Sequence, residues 1–78
     1  MVDLKQLLAD LARAIVDHPE QVVVTQTEEG GAIVLHLHVA ESDMGKVIGR
    51  HGKIAKAIRT VMKAAANTCN KKVNVEIK

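Results

Sequence analysis

Lys46-Val47-Ile48-Gly49-Arg50-His51-Gly52-Lys53-Ile54 is the stretch that decides how this 78-residue sequence folds. Its two glycines bracket two polar, potentially cationic residues and lie between two helical patterns. Glycine permits backbone angles and close approaches that a Cβ atom would block. A phosphate can then lie against the loop, held by main-chain amides and by the positive end of the following helix, while Arg50 and Lys53 add charge. The stretch therefore predicts a phosphate clamp made of one loop and one helix end.

Both flanks of this loop show the periodicity of amphipathic helices. A longer helix is predicted from Gly52 to about Thr68, and its apolar stripe consists of Ile54, Ala57, Ile58, Val61, Met62 and Ala65. Basic residues occupy the other side of that helix, namely Lys53, Lys56, Arg59 and Lys63. Upstream of the loop, a short helix is predicted with Ser42 or Asp43 as its N-cap and with Met44, Val47 and Ile48 as its apolar members.

The first part of the chain predicts another amphipathic helix, over residues 2–17. Apolar side chains recur there at intervals of three and four, at Leu4, Leu7, Leu8, Leu11, Ala12 and Ile15. The helix is expected to end around Asp17 or His18, because Pro19 disfavours helical angles in the residue before it.

Three further segments have the two-residue alternation of strands. Residues 21–27 and 32–39 are joined by a glycine turn and predict a hairpin, and residues 73–77 predict a closing strand that follows a polar turn at residues 70–72. In the second strand, Ile33, Leu35, Leu37 and Val39 are expected on the core face, and Val34, His36 and His38 on the wetter face. Three strands with one covered face and three amphipathic helices predict a single α+β domain over residues 1–78, a three-stranded sheet covered on one face by three helices.

Composition narrows the function classes. The chain contains no Phe, Tyr or Trp, so any contact with nucleic acid must use charge, main-chain amides and aliphatic surface rather than ring stacking. The formal net charge of +2 is too small to indicate a polyanionic partner by itself. One cysteine, Cys69, allows no internal disulfide, and no apolar run is long enough to span a membrane, so a cytoplasmic location is expected.

The segment Val47-Ile48-Gly49-Arg50-His51-Gly52 resembles the GxxG signature of KH domains, and the order of the elements resembles the type II, or prokaryotic, KH arrangement. The resemblance covers essentially the whole chain. The longer helix and the small size are most similar to the KhpA family of small bacterial RNA-binding proteins. Members of that family are thought to pair with themselves and with a larger KH-containing partner of the KhpB or Jag type.

The resemblance implies single-stranded RNA as the ligand, because the GxxG loop of KH domains clamps the backbone of about four nucleotides. It implies a clamp formed by Gly49, Arg50, His51 and Gly52, with support or a groove floor from Val47, Ile48, Ile54 and Ile58. The basic residues nearest to the loop, Lys53 and Lys56, are expected to contribute to the same site. The implied role is that of a small RNA chaperone or post-transcriptional regulator, without a metal, cofactor or small-molecule substrate.

Other interpretations have weaker support from the residues. His36 and His38 lie two apart on one strand and could begin a metal site, but zinc usually requires three or four ligands and nothing obvious completes the set. The spacing does not match a nucleotide-binding phosphate loop, and no nucleophile lies beside a base, so enzymatic activity is not expected.

Two alternative functions remain open. The pair of helices around the loop could form a helix-turn-helix that reads duplex DNA, although strands directly on both sides would be unusual. The domain could also be an interaction scaffold that dimerises through an alanine-rich surface near Ala64, Ala65 and Ala66. A preference for duplex over single strands would favour the first alternative.

Overall fold

The computed structural model describes residues 3–77 and has the predicted α+β architecture, with three helices and a three-stranded sheet. Short 3₁₀ turns at Pro19–Gln21, Glu41–Asp43 and Arg50–Gly52 lie between the main elements. The main elements, in chain order, are α1 (Leu4–Arg13), β1 (Val23–Glu29), β2 (Ala32–His38), α2 (Met44–Ile48), α3 (Lys53–Thr68) and β3 (Val73–Ile77). None of the helices within residues 3–77 has the length and apolar character needed to cross a bilayer.

The sheet has the strand order β1-β2-β3, with β2 in the centre. β1 and β2 are antiparallel, as the hairpin predicts, and Val24 lies opposite Leu37. β2 and β3 are parallel, and Leu35 lies opposite Val75. Parallel neighbours need a long crossover connection. The segment from α2 to α3 is that crossover, so the topology itself places the glycine loop beside the sheet.

The core is aliphatic and lies between one face of the sheet and the helices. Leu8, Leu35, Leu37, Met62 and Val47 are among its largest fully buried side chains. Leu8, Leu35, Leu37 and Met62 come from α1, β2 and α3 and belong to one contiguous cluster. Val47 of α2 is fully buried outside that cluster.

The first helix ends at Arg13, four residues before the predicted end at Asp17. The main-chain N–H groups of Asp17 and His18 donate to the Asp43 carboxylate, at 3.2 and 3.0 Å, instead of continuing the helix. Asp43 occupies the N-cap position of α2, one of the two predicted, but its carboxylate binds the end of α1 and makes no capping bond to α2. At the other end of α1, the side chain of Asp3 caps the helix by accepting from the N–H of Gln6. The predicted start at Val2 lies outside the described residues.

The strands match the predicted alternation with one exception. β1 runs from Val23 to Glu29, two residues later than predicted. Val34 was predicted to face solvent with His36, but it is buried. It lies in the central strand between Thr27 and Asn74, so neighbours on both sides shield it from water.

α3 spans the predicted residues, and its buried side is shifted from the predicted apolar stripe. Its buried residues are Ala55, Ile58, Met62 and Ala66, of which Ile58 and Met62 were in that stripe. Ile54 and Val61, also in the predicted stripe, are 38% and 45% exposed. The apolar residues of α3 cover a wider sector of the helix than the sheet and α1 can bury. The small side chains of Ala55 and Ala66 let that side of α3 approach its neighbours most closely. The remaining apolar flank of α3 is left on the surface.

Candidate nucleic-acid interface

The glycine loop has an unusual main-chain conformation. Gly49 has φ 75° and ψ 174°, and Gly52 has φ 73° and ψ 13°. Between them, His51 also has a positive φ, 56°. Histidine, asparagine and aspartate are the non-glycine residues that adopt this region most readily. The N–H of Gly52 donates to the carbonyl of Gly49 at 3.2 Å, which closes the turn.

Gly49 is required for a second reason besides its backbone angles. A Cβ atom at this position would lie 2.6 Å from Cγ1 of Ile54 and 2.9 Å from its Cβ. The side chain of Ile54 therefore packs directly against the loop main chain. Gly52 has open space around the position of a Cβ atom, so only its angles favour glycine there.

The predicted site residues differ in their accessibility to solvent. Arg50, His51, Lys53 and Lys56 are exposed, Gly49 and Gly52 are half-buried, and Ile48 and Ile54 flank the loop with 39% and 38% exposure. Val47 and Ile58 are buried. The main chain of the loop is thus open to solvent on a rigid apolar base, and the two buried residues can support the loop but cannot touch a ligand.

The start of α3 carries positive charge without internal compensation. Its N-cap is Gly52, which makes no side-chain capping bond, and the first turn contains no acidic residue. The N–H groups of Gly52 and Lys53 donate to the carbonyls of Gly49 and Arg50, so these two amides are not free, and the helix dipole is positive at this end. The exposed side chains of Arg50 and Lys53 add positive charge, a combination that favours an anion.

α2, which leads into the loop, is tied to the end of α1 by buried and surface contacts. Asp43 precedes α2, is only 1% exposed, and holds the amides of Asp17 and His18. Lys46 on α2 forms an ion pair with Asp17, and this ammonium group lowers the pKa of the Asp17 carboxyl. The helix that leads into the loop is therefore held against the end of α1. Sequence reasoning missed Asp43 because its partners are 25 and 26 positions away.

Arg59 connects α3 to β3. Nε of Arg59 donates to the carbonyl of Val75 at 3.4 Å, so this side chain reaches from the helix to the strand. Lys56 and Lys63 lie on the same flank of α3, at intervals of three and four residues from Arg59. The flank of α3 that faces β3 is therefore basic along its length.

Charge is strongly segregated along the chain, and the sequence-based prediction did not use this signal. Residues 1–43 contain two Lys or Arg and eight Asp or Glu, whereas residues 44–78 contain nine Lys or Arg and one acidic residue, Glu76. The small net charge conceals a basic half that includes the glycine loop and α3. Lys71 and Lys72, which were predicted only as part of a turn, belong to this half.

His36 and His38 project from the outer face of the sheet, away from the loop-bearing helices. Nε2 of His36 hydrogen-bonds Oγ1 of Thr27 at 3.2 Å, and its Nδ1 lies 3.1 Å from Oε2 of Glu76. Within residues 3–77, no three potential ligands among His, Cys, Asp and Glu gather in one place. His36 thus has local partners, and the histidine pair is separate from the loop.

Comparison with known proteins gives consistent results. The family described as "KhpA/KhpB, KH domain" matches residues 5–77. "RNA-binding protein KhpA" of Clostridium acetobutylicum is 55% identical over 74 residues, which cover 95% of this chain and 99% of the relative. The protein of the same name from Treponema pallidum is 45% identical over 73 residues, which cover 94% and 91%.

Two solved structures share the fold at low sequence identity. Era in complex with MgGDPNP and nucleotides 1506–1542 of 16S ribosomal RNA aligns with a TM-score of 0.60 and 18% identity, over 97% of this chain and 30% of that one. Era from Aquifex aeolicus bound to GDP and aluminium fluoride aligns with a TM-score of 0.58 and 18% identity, over 99% and 31%. The chain thus corresponds to about a third of each Era molecule, and the likeness concerns the fold alone.

Proposed function

Because this chain belongs to the KhpA/KhpB family of KH domains, we propose that it binds single-stranded RNA through the loop of Gly49, Arg50, His51 and Gly52. The site is proposed to act by binding alone, without a catalysed reaction, and in the cytoplasm. Relatives over nearly the full chain are named as RNA-binding proteins. A role as an RNA chaperone or post-transcriptional regulator is the form of this function that we propose.

The observation that carries the proposal is an open loop main chain with positively charged side chains around it. Gly49 and Gly52 leave it uncovered, Arg50 and His51 are exposed, and the uncapped end of α3 follows directly. A phosphodiester is attracted by nearby cations and by the positive end of a helix, and both are present here. Lys53 and Lys56 extend the charge along the helix, and Ile48 and Ile54 offer aliphatic contact to a base.

The decisive experiment replaces Arg50 and His51 together with aspartate. Fluorescence anisotropy of a labelled single-stranded RNA should show binding by the wild-type protein and none by Arg50→Asp/His51→Asp, because two anions replace two cations beside the phosphate path. The fold should survive, since aspartate tolerates the positive φ of residue 51 and both side chains are exposed. Circular dichroism checks this point.

A control variant must carry the same change in formal charge away from the loop. Lys5→Asp/Arg13→Gln on α1 removes three formal charges at pH 7, as the loop variant does with His51 counted as neutral. It should keep most of the RNA affinity. Equal affinity of the loop variant and the wild type would disprove the clamp, and tighter binding of duplex DNA than of single-stranded RNA would favour the helix-turn-helix alternative.

We further propose that the domain forms a homodimer, and a heterodimer with a KhpB or Jag-type protein, through an apolar surface on α1 and α3. Ile15, Ile54 and Val61 are 37%, 38% and 45% exposed, and they line a hollow of about 270 Å³ with Leu11 and Ala57. We prefer this surface to the predicted alanine patch, in which Ala64 is exposed and Ala65 is half-buried, but Ala66 is only 1% exposed and belongs to the core. A KhpB-type domain of the same family would offer a similar surface.

Val61→Glu tests the dimer, since a charge in the middle of this surface opposes burial. Sedimentation velocity should show a dimer for the wild type and a monomer for the variant. Lys63→Glu, two residues along the same helix but on its other flank, should leave the dimer intact. A wild-type monomer at all concentrations, or a dimer unaffected by Val61→Glu, would contradict the proposal.

A further inference from the structure

The connection from α3 to β3 is held rigidly by main-chain hydrogen bonds. Asn70 has φ 56°, its N–H donates to the carbonyl of Asn67, and the N–H of Lys71 donates to the carbonyl of Ala66 at 2.9 Å. These two bonds form a Schellman motif. The carbonyl of Lys72 accepts from the N–H of Ile33 at 2.9 Å, which fixes the other end of the connection to β2. The two consecutive lysines therefore project from a backbone of defined shape.

The charges at this connection are not neutralised within the described chain. Lys63, Lys71 and Lys72 are exposed, and none of them forms an ion pair with a carboxylate among residues 3–77. The three ammonium groups tend to repel one another. A bound anion removes that repulsion.

Two hollows adjoin the connection, and their linings differ. The hollow on the α3 side, about 260 Å³, is lined by Lys63, Lys71 and Lys72 together with Asn67 and Asn74, and no acidic residue lines it. The hollow on the hairpin side includes Glu28. An anion is therefore favoured on the α3 side, where asparagine amides can donate hydrogen bonds and no carboxylate repels it.

The favoured hollow lies at the end of the basic flank of α3 that faces β3. Arg59 lies over Val75, and Lys63 borders the hollow beside Val73. Lys63 and Asn67 lie 10 and 14 residues after Lys53, so α3 places this hollow about 15–21 Å along its axis from the glycine loop. Positive side chains mark the whole interval, at Lys53, Lys56, Arg59 and Lys63.

We propose that Lys63, Lys71 and Lys72, with Asn67 and Asn74, form a second phosphate-binding site, which receives the backbone of the same single-stranded RNA beyond the nucleotides held by the glycine loop. This inference rests on the proposed function, and it adds a footprint and a length dependence to it. The site predicts that RNA too short to pass along α3 binds through the loop alone, and that longer RNA binds more tightly.

The experiment uses two labelled oligouridylates, of about four and about twelve nucleotides, and the variant Lys71→Gln/Lys72→Gln. Glutamine keeps most of the side-chain length and leaves the main-chain bonds of residues 71 and 72 in place. The twelve-nucleotide RNA should lose roughly 10–30-fold in affinity at 0.1 M salt, and the slope of log K against log salt should become shallower by about 1.4, because two phosphate contacts are lost. The affinity for the four-nucleotide RNA should not change.

The control variant Lys5→Gln/Arg13→Gln removes two charges from α1 and should not change the affinity for either RNA beyond twofold. Arg50→Asp/His51→Asp should abolish binding of the short RNA, so failure of the clamp is detected separately. Unchanged affinity and salt slope of the longer RNA in the lysine variant would overturn the second site. So would loss of the short RNA in that variant, or equal affinity of the wild type for both lengths.

Discussion

Glycine in the loop has two possible reasons, a positive φ and a lack of space for a Cβ atom. Alanine substitutions of Gly45, Gly49 and Gly52 separate them. Gly45 lies in α2 without a positive φ, and a Cβ atom there would meet no other atom within 4 Å, so alanine should stabilise the fold by about 0.4–1 kcal/mol. Gly52 has open space but φ 73°, and alanine should destabilise by about 1–2 kcal/mol. Gly49 combines φ 75° and ψ 174° with a contact of 2.6 Å to Ile54.

The cost at Gly49 adds two terms. An alanine in this backbone region costs roughly 1–3 kcal/mol, and forcing a methyl group into a packed neighbour costs roughly 1–3 kcal/mol more, so the total is about 2–6 kcal/mol. A 78-residue domain is expected to have about 4–12 kcal/mol of stability, so Gly49→Ala removes a large part of it. The substitution is therefore best measured in the Gly45→Ala background as well as in the wild type.

Urea unfolding followed by far-ultraviolet circular dichroism is the suitable assay, because the chain has no Trp or Tyr for fluorescence. The reasoning is refuted if Gly49→Ala and Gly52→Ala differ by less than about 0.5 kcal/mol. Ile54→Ala provides a cross-check. It removes the atom nearest to the added methyl group but leaves Cβ at 2.9 Å, so the double variant with Gly49→Ala should recover only part of the loss.

Three other substitutions test the hydrophobic core and the contacts that hold α2 against α1. Asp43→Asn should reduce the free energy of unfolding by about 1–3 kcal/mol, because an amide NH₂ replaces one acceptor of the buried carboxylate, and a change below about 0.5 kcal/mol in urea unfolding would contradict this. Lys46→Met should raise the pKa of Asp17 towards its ordinary value, as measured by carboxyl carbon NMR. Since the folded pKa of Asp17 is lowered, its stabilising contribution is present above the unfolded pKa and is lost as the pH falls, so the variant should lose less stability on acidification. Leu35→Ala, at a fully buried position in β2, should cost about 2–5 kcal/mol, and a loss below about 1 kcal/mol would place this residue outside the core.

Sequence periodicity predicted the strands better than the helix faces. Alternation in β2 assigns Leu35 and Leu37 to the core because each residue of a strand faces one side or the other. On α3, apolar residues cover more than half of the helix circumference, so periodicity cannot decide which sector faces the sheet. The choice between Ile54 and Ala55 is made by how closely the helix can approach, which depends on the partner surface.

In the site, too, features set by adjacent residues could be predicted, and features set by residues distant in the sequence could not. The glycine loop was predictable because its conformational requirement is written in adjacent residues, Gly49 and Gly52. The role of Asp43 was not predictable, because a capping position is a local feature and its real partners at Asp17 and His18 come from another element. The rigid connection at Asn70 was likewise hidden, since an asparagine at a helix end is compatible with several turns.

The two flanks of α3 explain how one short helix could serve both proposed surfaces. Val61 belongs to the apolar flank beside α1, and Lys63 to the basic flank beside β3. At about 100° per residue these side chains point about 160° apart around the helix axis. A dimer formed through the apolar flank would therefore leave Arg59 and Lys63 of each protomer open to RNA, whereas Lys53 and Ile54 border both surfaces. Two basic flanks on one particle raise the effective concentration of the second contact, which a domain without aromatic stacking needs to hold a weakly bound strand.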